Sequence, residues 1–289
     1  MMEIAVISGK GGTGKSSISA AFATLKNHVV LADCDVDAAN LYILFNPVVE
    51  KEKAFVTGQK AVIDERKCTN CGYCIDFCRF DAIRYENDKV IISETLCDGC
   101  VLCSRICPYD AINNIYEDKS RMYAGSFRNG RMVYGRLAPG EENSGKLVNM
   151  VRQEAKREAE NNQLAVTIID GPPGIGCPVI SAITGVDHVI IVTEPSISGL
   201  HDLKRTIEIT SRFNLKSWVI INKSDINSNI SELIKTYCKN TRIDILAELP
   251  FDSQMVEAMV QCKSIIEWLP DSIISQKMIQ AFNRITNGS

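Results

Sequence analysis

The sequence has little excess charge of either sign. Its 32 basic and 35 acidic side chains leave a formal net charge of −3. Proteins that bind nucleic acid or anionic membranes through electrostatics usually show a clear basic excess. We therefore expect a small-molecule or protein partner and no nucleic-acid partner.

The sequence also lacks long hydrophobic runs and a recognisable targeting segment. No apolar run reaches the roughly 20 residues that span a bilayer, and the first predicted strand, residues 3–8, leads directly into a glycine-rich loop. An apolar stripe at residues 273–285 carries only Lys277 and Arg284 as basic residues, which favours core packing over membrane contact. We expect a cytoplasmic protein without stable membrane association.

Short runs rich in valine and isoleucine alternate with stretches of helical periodicity. This alternation predicts a doubly wound α/β fold with a mostly parallel sheet. The predicted strands lie at residues 4–7, 29–32, 166–169, 189–192, 218–221 and 245–249. The predicted helices lie at residues 16–26, 145–159, 200–213, 230–239, 255–261 and 272–285.

The alternation of strands and helices breaks between about residues 56 and 119. A chain of 289 residues can hold one large domain and one small one. We expect residues 1–56 and 120–289 to form the main domain and residues 57–119 to form a small inserted domain. The glycine-rich residues 120–145 are predicted to form turns and a hairpin that return the chain to the main domain.

Twelve cysteines are present, and eight of them fall in two segments of the predicted insertion. Residues 68–83 and 97–112 align without gaps at an offset of 29 residues, and each has the spacing C-x2-C-x2-C-x3-C. Cysteines so close together, in a chain without a secretory signal, indicate metal binding in a reducing compartment. Two four-cysteine zinc sites are an alternative use of such spacing.

Over about sixty residues this block resembles the two-cluster bacterial ferredoxins. The resemblance implies a small α+β domain with two 4Fe–4S clusters, in which the fourth cysteine of each repeat binds the cluster of the other repeat. Pro108 completes the Cys-Pro signature in the second repeat, whereas Arg79 stands at that position in the first. The implied ligand sets are Cys68, Cys71, Cys74 and Cys107 for one cluster, and Cys97, Cys100, Cys103 and Cys78 for the second.

A phosphate-loop motif, GKGGTGKS, follows the first predicted strand and opens the first predicted helix. Its glycines let backbone N–H groups face phosphates, Lys15 would reach the β- and γ-phosphates, and Ser16 would bind Mg²⁺. The candidate nucleotide-binding residues of this segment are Gly9, Lys10, Gly11, Gly12, Thr13, Gly14, Lys15, Ser16 and Ser17.

The extra lysine, Lys10, makes the motif similar to the deviant Walker A loop of the superfamily that includes MinD, ParA, Mrp and the nitrogenase iron protein. The resemblance covers essentially the whole chain outside the insertion, and the insertion itself looks like that of a subgroup with a two-cluster ferredoxin domain. It implies a nucleotide-dependent homodimer in which Lys10 reaches the nucleotide of the partner.

Two acidic segments extend this resemblance. DCDVDAANL at residues 33–41 resembles switch I, which implies that Asp35 orients the attacking water. DGPPG at residues 170–174 resembles switch II, which implies that Asp170 holds Mg²⁺ together with Ser16 and Asp35.

The resemblance also suggests where the base binds. Asn222, Pro250 and Asp252 stand where the family contacts the base. Residues 222–225 also spell NKxD, the motif by which many GTPases recognise guanine. The deviant Walker A loop favours ATP, and GTP stays an alternative.

The predicted insertion begins shortly after switch I and ends before the switch II strand, and both switches move with nucleotide state in P-loop enzymes. We expect Mg²⁺-dependent ATP hydrolysis coupled to electron transfer to or from a redox partner protein, with Lys10, Lys15 and Asp35 as catalytic residues. The alternatives are an Mrp-related ATPase that carries iron–sulfur clusters to a client protein and a MinD/ParA-like positioning ATPase. Outside the cysteine block, Cys34 and Cys177 are predicted to be buried thiols.

Overall fold

A computed structural model describes residues 1–56, 58–116, 118–141 and 143–287. The chain divides into two compact units. Unit 1 comprises Met1–Glu52, Met122–Gly135 and Ser144–Ser289, and unit 2 comprises Lys53–Arg121 and Arg136–Asn143. Unit 2 therefore includes a second short segment that lies outside the predicted insertion at residues 57–119.

Strands and helices alternate along most of the described residues. The strands are β1 (Met2–Ser8), β2 (Val29–Asp33), β3 (Val48–Phe55), β4 (Gln59–Ile63), β5 (Ile83–Glu86), β6 (Lys89–Ile92), β7 (Ile112–Tyr116), β8 (Ser120–Phe127), β9 (Gly130–Arg136), β10 (Val166–Pro173), β11 (His188–Thr193), β12 (Lys216–Asn222) and β13 (Asp244–Leu249). The helices are α1 (Lys15–Thr24), α2 (Leu41–Phe45), α3 (Tyr73–Asp76), α4 (Leu102–Ile106), α5 (Ser144–Asn161), α6 (Cys177–Ile183), α7 (Ile197–Arg212), α8 (Ser228–Asn240), α9 (Gln254–Val260), α10 (Ile265–Trp268) and α11 (Ile273–Thr286).

Within the described residues, the main sheet has nine strands in the order β13-β12-β11-β1-β10-β2-β9-β8-β3. Every neighbouring pair from β13 to β9 is parallel, so the predicted α/β fold with a mostly parallel sheet is confirmed. Its central strands are apolar and buried because helices pack against the sheet. The carboxyl ends of these parallel strands meet at one edge, where open α/β sheets place their ligands.

The edge of the sheet formed by β9, β8 and β3 differs from the centre. Only two residues separate β8 from β9, which confirms the hairpin predicted within residues 120–145. Strand β3 was not predicted, because its sequence VVEKEKAF alternates charges and leaves nearly all its side chains exposed.

The final helix, α11, confirms the prediction of core packing for the apolar stripe. Ile274, Met278, Ala281, Phe282 and Ile285 are buried in the core of unit 1, whereas Ile273 is exposed. Within the described residues, no helix is both long enough and apolar enough to cross a bilayer.

Unit 2 contains two similar β-α-β segments. The first runs through β4, α3 and β5, and the second through β6, α4 and β7. The outer strands pair antiparallel, β4 with β7 and β5 with β6, so each segment contributes one strand to each pair. Its small core combines Ala61, Ala82, Cys97 and Ile112 with four further cysteines, namely Cys74, Cys78, Cys103 and Cys107.

Candidate functional site

The glycine-rich loop lies between β1 and α1, at the carboxyl edge of the sheet. Gly12 and Gly14 have φ of 79° and 89°, a left-handed conformation that L side chains rarely adopt. A Cβ atom at Gly14 would lie 2.3 Å from the Asn222 side-chain nitrogen. That nitrogen donates a hydrogen bond of 2.8 Å to the Thr13 carbonyl oxygen. The left-handed backbone therefore favours glycine at position 14, and any side chain there would also displace the Asn222 amide from Thr13.

Four predicted residues meet at the start of α1. The Lys15 ammonium lies 3.0 Å from Asp170 and 3.4 Å from Asp35. The Ser16 hydroxyl donates a hydrogen bond of 2.7 Å to Asp170. The carboxylates of Asp170 and Asp35 outweigh the effect of burial, which by itself would lower the pKa of Lys15, and hold that pKa above its ordinary value. Lys15 is therefore a cation at neutral pH.

Two further side chains belong to this group and were not predicted as site residues. Ser19, one turn after Lys15, donates a hydrogen bond of 2.7 Å to the second oxygen of Asp170. The buried Asp33 carboxylate accepts hydrogen bonds from the backbone N–H groups of Asp35, Asn40 and Leu41. Burial, reinforced by the Asp170 charge, raises the pKa of Asp33 to about 7. An aspartate at the end of a buried strand is the sequence signal that could have identified it.

The group carries more negative than positive charge. Three carboxylates, those of Asp33, Asp35 and Asp170, surround one ammonium, and burial raises the pKa of Asp35 despite Lys15. Within the described residues, no group of three or more His, Cys, Asp or Glu side chains lies close enough together to hold a metal ion by itself. Mg²⁺ at a nucleotide usually takes only one or two carboxylates and completes its shell with phosphate oxygens and water. Ser16, Asp35 and Asp170 fit such a partial ligand set.

Lys10 does not join this group. Its ammonium lies 2.7 Å from Glu194 and donates hydrogen bonds to the hydroxyls of Ser196 and Ser198. Glu194 follows β11 and uses its other oxygen to bind Lys223 at 3.0 Å. These lysines outweigh the effect of burial and hold the pKa of Glu194 below its ordinary value. Glu194 was not predicted, although an acidic residue at a strand end is a visible signal.

The residues predicted to recognise the base lie near one another. Asn222 contacts the phosphate loop as described, and the Lys223 ammonium donates to the Gly12 carbonyl oxygen. One oxygen of Asp225 accepts a hydrogen bond of 2.6 Å from the Phe251 backbone, which places the NKxD segment beside the loop of residues 250–252. The Asp252 carboxylate accepts a hydrogen bond from the backbone N–H of Gln254 at the start of α9.

Ser17 contacts α9 rather than the group around Lys15. Its hydroxyl donates a hydrogen bond of 3.0 Å to the Met259 sulfur. The hydroxyl of Thr13 is buried, and within the described residues it has no hydrogen-bond partner. A buried unpaired hydroxyl in a phosphate loop fits a site that a polar ligand completes.

The eight clustered cysteines of unit 2 line two separate cavities. Each cavity is lined by three cysteines of one repeat and the fourth cysteine of the other. One cavity is lined by Cys68, Cys71, Cys74 and Cys107. The other is lined by Cys97, Cys100, Cys103 and Cys78.

The two cysteine loops share one backbone conformation. Left-handed residues recur at the same offset as the cysteines, with Asn70 and Gly99, Gly72 and Val101, and Asp81 and Asp110 as the corresponding pairs. Val101 holds φ of 58°, an unusual value for a β-branched residue, at the position where the first repeat has glycine. The loop geometry therefore persists in the second repeat despite this strain.

The remaining cysteines divide between the core and the surface. Cys34 is buried, as predicted, and burial strongly raises the pKa of its thiol. The prediction that Cys177 is a buried thiol is wrong, because Cys177 is exposed. It is the first residue of α6, just after the segment that resembles switch II, and its side chain is exposed.

Comparison with known families identifies the fold of this nucleotide site. The sequence model of the CobQ/CobB/MinD/ParA nucleotide binding domain matches residues 4–265. The chain belongs to this family. Its nucleotide-binding domain is of the MinD/ParA ATPase type. Protein MJ0578 of Methanocaldococcus jannaschii is 39% identical over 256 residues, which cover 87% of this chain and 85% of that protein.

Solved MinD structures have a similar fold. The cell division ATPase MinD of Pyrococcus furiosus superposes with a TM-score of 0.59 at 16% identity and covers 100% of this chain and 99% of its own. The septum site-determining protein MinD of Pyrococcus horikoshii, complexed with Mg-ADP, superposes with a TM-score of 0.57 at 18% identity. The match covers 98% of this chain and 95% of the MinD chain.

Proposed function

We propose that this MinD/ParA-type protein binds and hydrolyses ATP with Mg²⁺. The group of Lys15, Ser16, Asp35 and Asp170 carries this proposal. Lys15 would pair with the β- and γ-phosphates, and Ser16, Asp35 and Asp170 would hold Mg²⁺. Asp35 would orient the attacking water towards the γ-phosphorus. The family match and the Mg-ADP complex of a structurally similar MinD support this assignment.

Three features favour ATP as the nucleotide. Lys10 and the surrounding glycine-rich loop have the deviant Walker A pattern. Asn222, Pro250 and Asp252 stand where the resembled family contacts the base, and Asn222 is held against the phosphate loop by its hydrogen bond to Thr13. One Asp225 oxygen already binds the Phe251 backbone, which leaves a single oxygen for the two guanine N–H groups that a GTPase aspartate would accept.

We further propose that unit 2 binds two 4Fe–4S clusters. The observation that supports this is the division of eight cysteines between two cavities, three from one repeat and one from the other. A backbone N–H, that of Ala111, already points at the Cys107 sulfur at 3.4 Å, as is usual around cluster ligands. In a cubane each cysteine binds a different iron, so the thiols surround a volume and need not converge on one ion. When bound, the clusters would accept and release single electrons.

Together these proposals describe an ATPase that couples its nucleotide state to electron transfer with a redox partner protein. The family match and the similar MinD structures support the MinD/ParA-like ATPase alternative, because they concern the nucleotide-binding domain. The clusters rest on the cysteine spacing and on the two cavities. A cluster carrier would need ligands that release the cluster, whereas four thiolates around each cavity suit retention.

Iron analysis of cysteine variants tests the cluster proposal. Anaerobically purified wild type should hold about eight irons per chain, as two cubanes require. Cys107→Ser should lower this to about four. The double variant with Cys71→Ser should also hold about four irons, because Cys71 and Cys107 belong to one cluster. The double variant with Cys100→Ser should hold almost no iron, because each substitution removes a ligand of a different cluster. Cys262→Ser, at an exposed cysteine outside both sets, is the matched control and should retain about eight.

The same measurement distinguishes the alternatives. If the wild type holds two zinc atoms and no iron, the proposed electron transfer is wrong. The protein would then be a MinD/ParA-like ATPase with structural zinc. If Cys107→Ser with Cys100→Ser keeps about four irons, the two ligands serve one cluster and the exchanged pairing is wrong. Transfer of iron and sulfide from the wild type to an apo-ferredoxin at a rate matching ATP turnover would support the carrier function.

A further inference from the structure

Two lysines occupy equivalent places in the two repeats of unit 2. Lys60 lies eight positions before Cys68, and Lys89 lies eight positions before Cys97, so they are related by the same offset of 29 residues as the cysteines. Lys60 belongs to β4 and Lys89 to β6, the first strand of each repeat. The repeat alone would give both lysines the same surroundings.

The structure gives them different surroundings. Lys60 is 8% exposed, and its ammonium donates to the carbonyl oxygens of Cys97 and, at 3.0 Å, Gly140. Within the described residues, these two uncharged carbonyl groups are the hydrogen-bond partners of the Lys60 ammonium. The Lys89 side chain is 61% exposed and pairs with the Glu65 carboxylate at 3.1 Å. One lysine is therefore a buried charge on a cysteine backbone, and the other is a solvated and neutralised charge.

We propose that Lys60 sets the two clusters at different reduction potentials and makes the cluster bound by Cys78, Cys97, Cys100 and Cys103 the better electron acceptor. This inference rests on the cluster proposal above. Reduction adds one electron, supplied by an external one-electron reductant, and no bond is formed or broken. The Lys60 ammonium, held on the Cys97 carbonyl oxygen, stabilises that added negative charge, because charges interact more strongly at a largely buried position than in bulk water.

Lys89 cannot have the same effect on the other cluster. Its charge is balanced by Glu65, and both side chains are exposed to water and salt, which screen them. The electron should therefore rest on the cluster beside Lys60. The asymmetry arises from burial and pairing, since the lysines themselves are the same residue at the same position of the repeat.

The test is an anaerobic redox titration followed by electron paramagnetic resonance. The wild type should show two resolved midpoints. Lys60→Gln keeps a hydrogen-bond donor but removes the charge, and it should shift the higher midpoint to more negative potential. We expect at least a tenfold fall in the ratio of reduced to oxidised cluster at fixed potential, which equals about 59 mV for a one-electron couple. Lys89→Gln is the matched control and should shift either midpoint much less.

Cluster removal assigns the midpoints without any change at Lys60. Cys107→Ser, which should leave only the cluster beside Lys60, should retain the higher midpoint. A single shared midpoint in wild type with about eight irons would overturn the inference, as would retention of the lower midpoint in Cys107→Ser or equal shifts from Lys60→Gln and Lys89→Gln. A wild type without iron would instead overturn the cluster proposal, so the two failures are distinguishable.

Discussion

At the scale of single residues, Lys15 and Asp35 share an ion pair but should fail in different ways. Lys15→Ala removes the cation for the phosphates, so we expect loss of ATP binding. Asp35→Asn keeps the shape of the side chain and should retain binding while the hydrolysis rate falls by about 10²–10⁴-fold, the usual contribution of a positioned proton acceptor. Calorimetric binding and single-turnover hydrolysis measure the two effects separately.

The neighbouring carboxylate provides a control. Asp37 lies in the same segment and is exposed, so Asp37→Asn should hydrolyse ATP at close to the wild-type rate. Hydrolysis by Asp35→Asn at the wild-type rate would contradict the assignment of switch I.

Asp33 should make stability depend on pH in a defined window. Burial and the Asp170 charge raise its pKa from 3.8 to about 7, so between these values the nucleotide-free folded chain holds a proton that the unfolded chain has released. Raising the pH through this window therefore lowers the free energy of unfolding, by at most about 1.4 kcal/mol per pH unit for one proton. Asp33→Asn cannot titrate. The difference in unfolding free energy between wild type and Asp33→Asn should fall from about pH 4 to about pH 7 and then become flat.

Urea unfolding of both proteins at a series of pH values measures this difference. Any fixed cost of the substitution, such as a weakened hydrogen bond to the switch I backbone, shifts all points equally. Parallel curves across the whole window would mean that Asp33 is already ionised well below neutral pH.

At the scale of elements, α11 tests whether its apolar face is a core surface. Phe282 is buried and its ring centre lies 5.5 Å from that of Phe22 in α1. Phe282→Ala should lower the free energy of unfolding by about 3–5 kcal/mol, the usual cost of removing a buried aromatic ring. Ile273→Ala on the same helix removes a side chain that is 70% exposed and should cost less than about 0.5 kcal/mol. Similar small effects of both substitutions would indicate that the helix is not packed as described.

The elements also show how far the sequence could predict this molecule. The central strands and long helices were found because continuous valine and isoleucine runs and helical periodicity are local signals. Strand β3 carries alternating charges and was missed, since its place at the sheet edge depends on β8, far away in the sequence. Phosphate-loop and cysteine residues were found because their spacing is itself the signal. Glu194 was missed as the partner of Lys10 because 184 residues separate them and only the fold brings them together.

At the scale of the whole molecule, Lys10 must exchange partners if it acts across a dimer. Its ammonium contacts Glu194, Ser196 and Ser198 of its own subunit. A triphosphate on the partner subunit would offer more negative charge and would favour the closed dimer over the separate chains. Because the segments that resemble switch I and switch II flank the inserted segment in sequence, closure should also affect the proposed clusters.

We therefore predict that a non-hydrolysable ATP analogue promotes dimerisation and changes either the reduction potential of the proposed clusters or the rate at which a chelator removes their iron. Lys10→Ala should suppress both effects, because binding equilibria at coupled sites shift together. Lys239→Ala, at an exposed lysine on α8, is the control and should behave as the wild type. Sedimentation velocity and anaerobic redox titration, run on the same samples with and without the analogue, provide the measurement. Dimerisation without any change in potential or chelation rate would leave the nucleotide site and the clusters as independent functions on one chain, and electron transfer would then have no dependence on ATP.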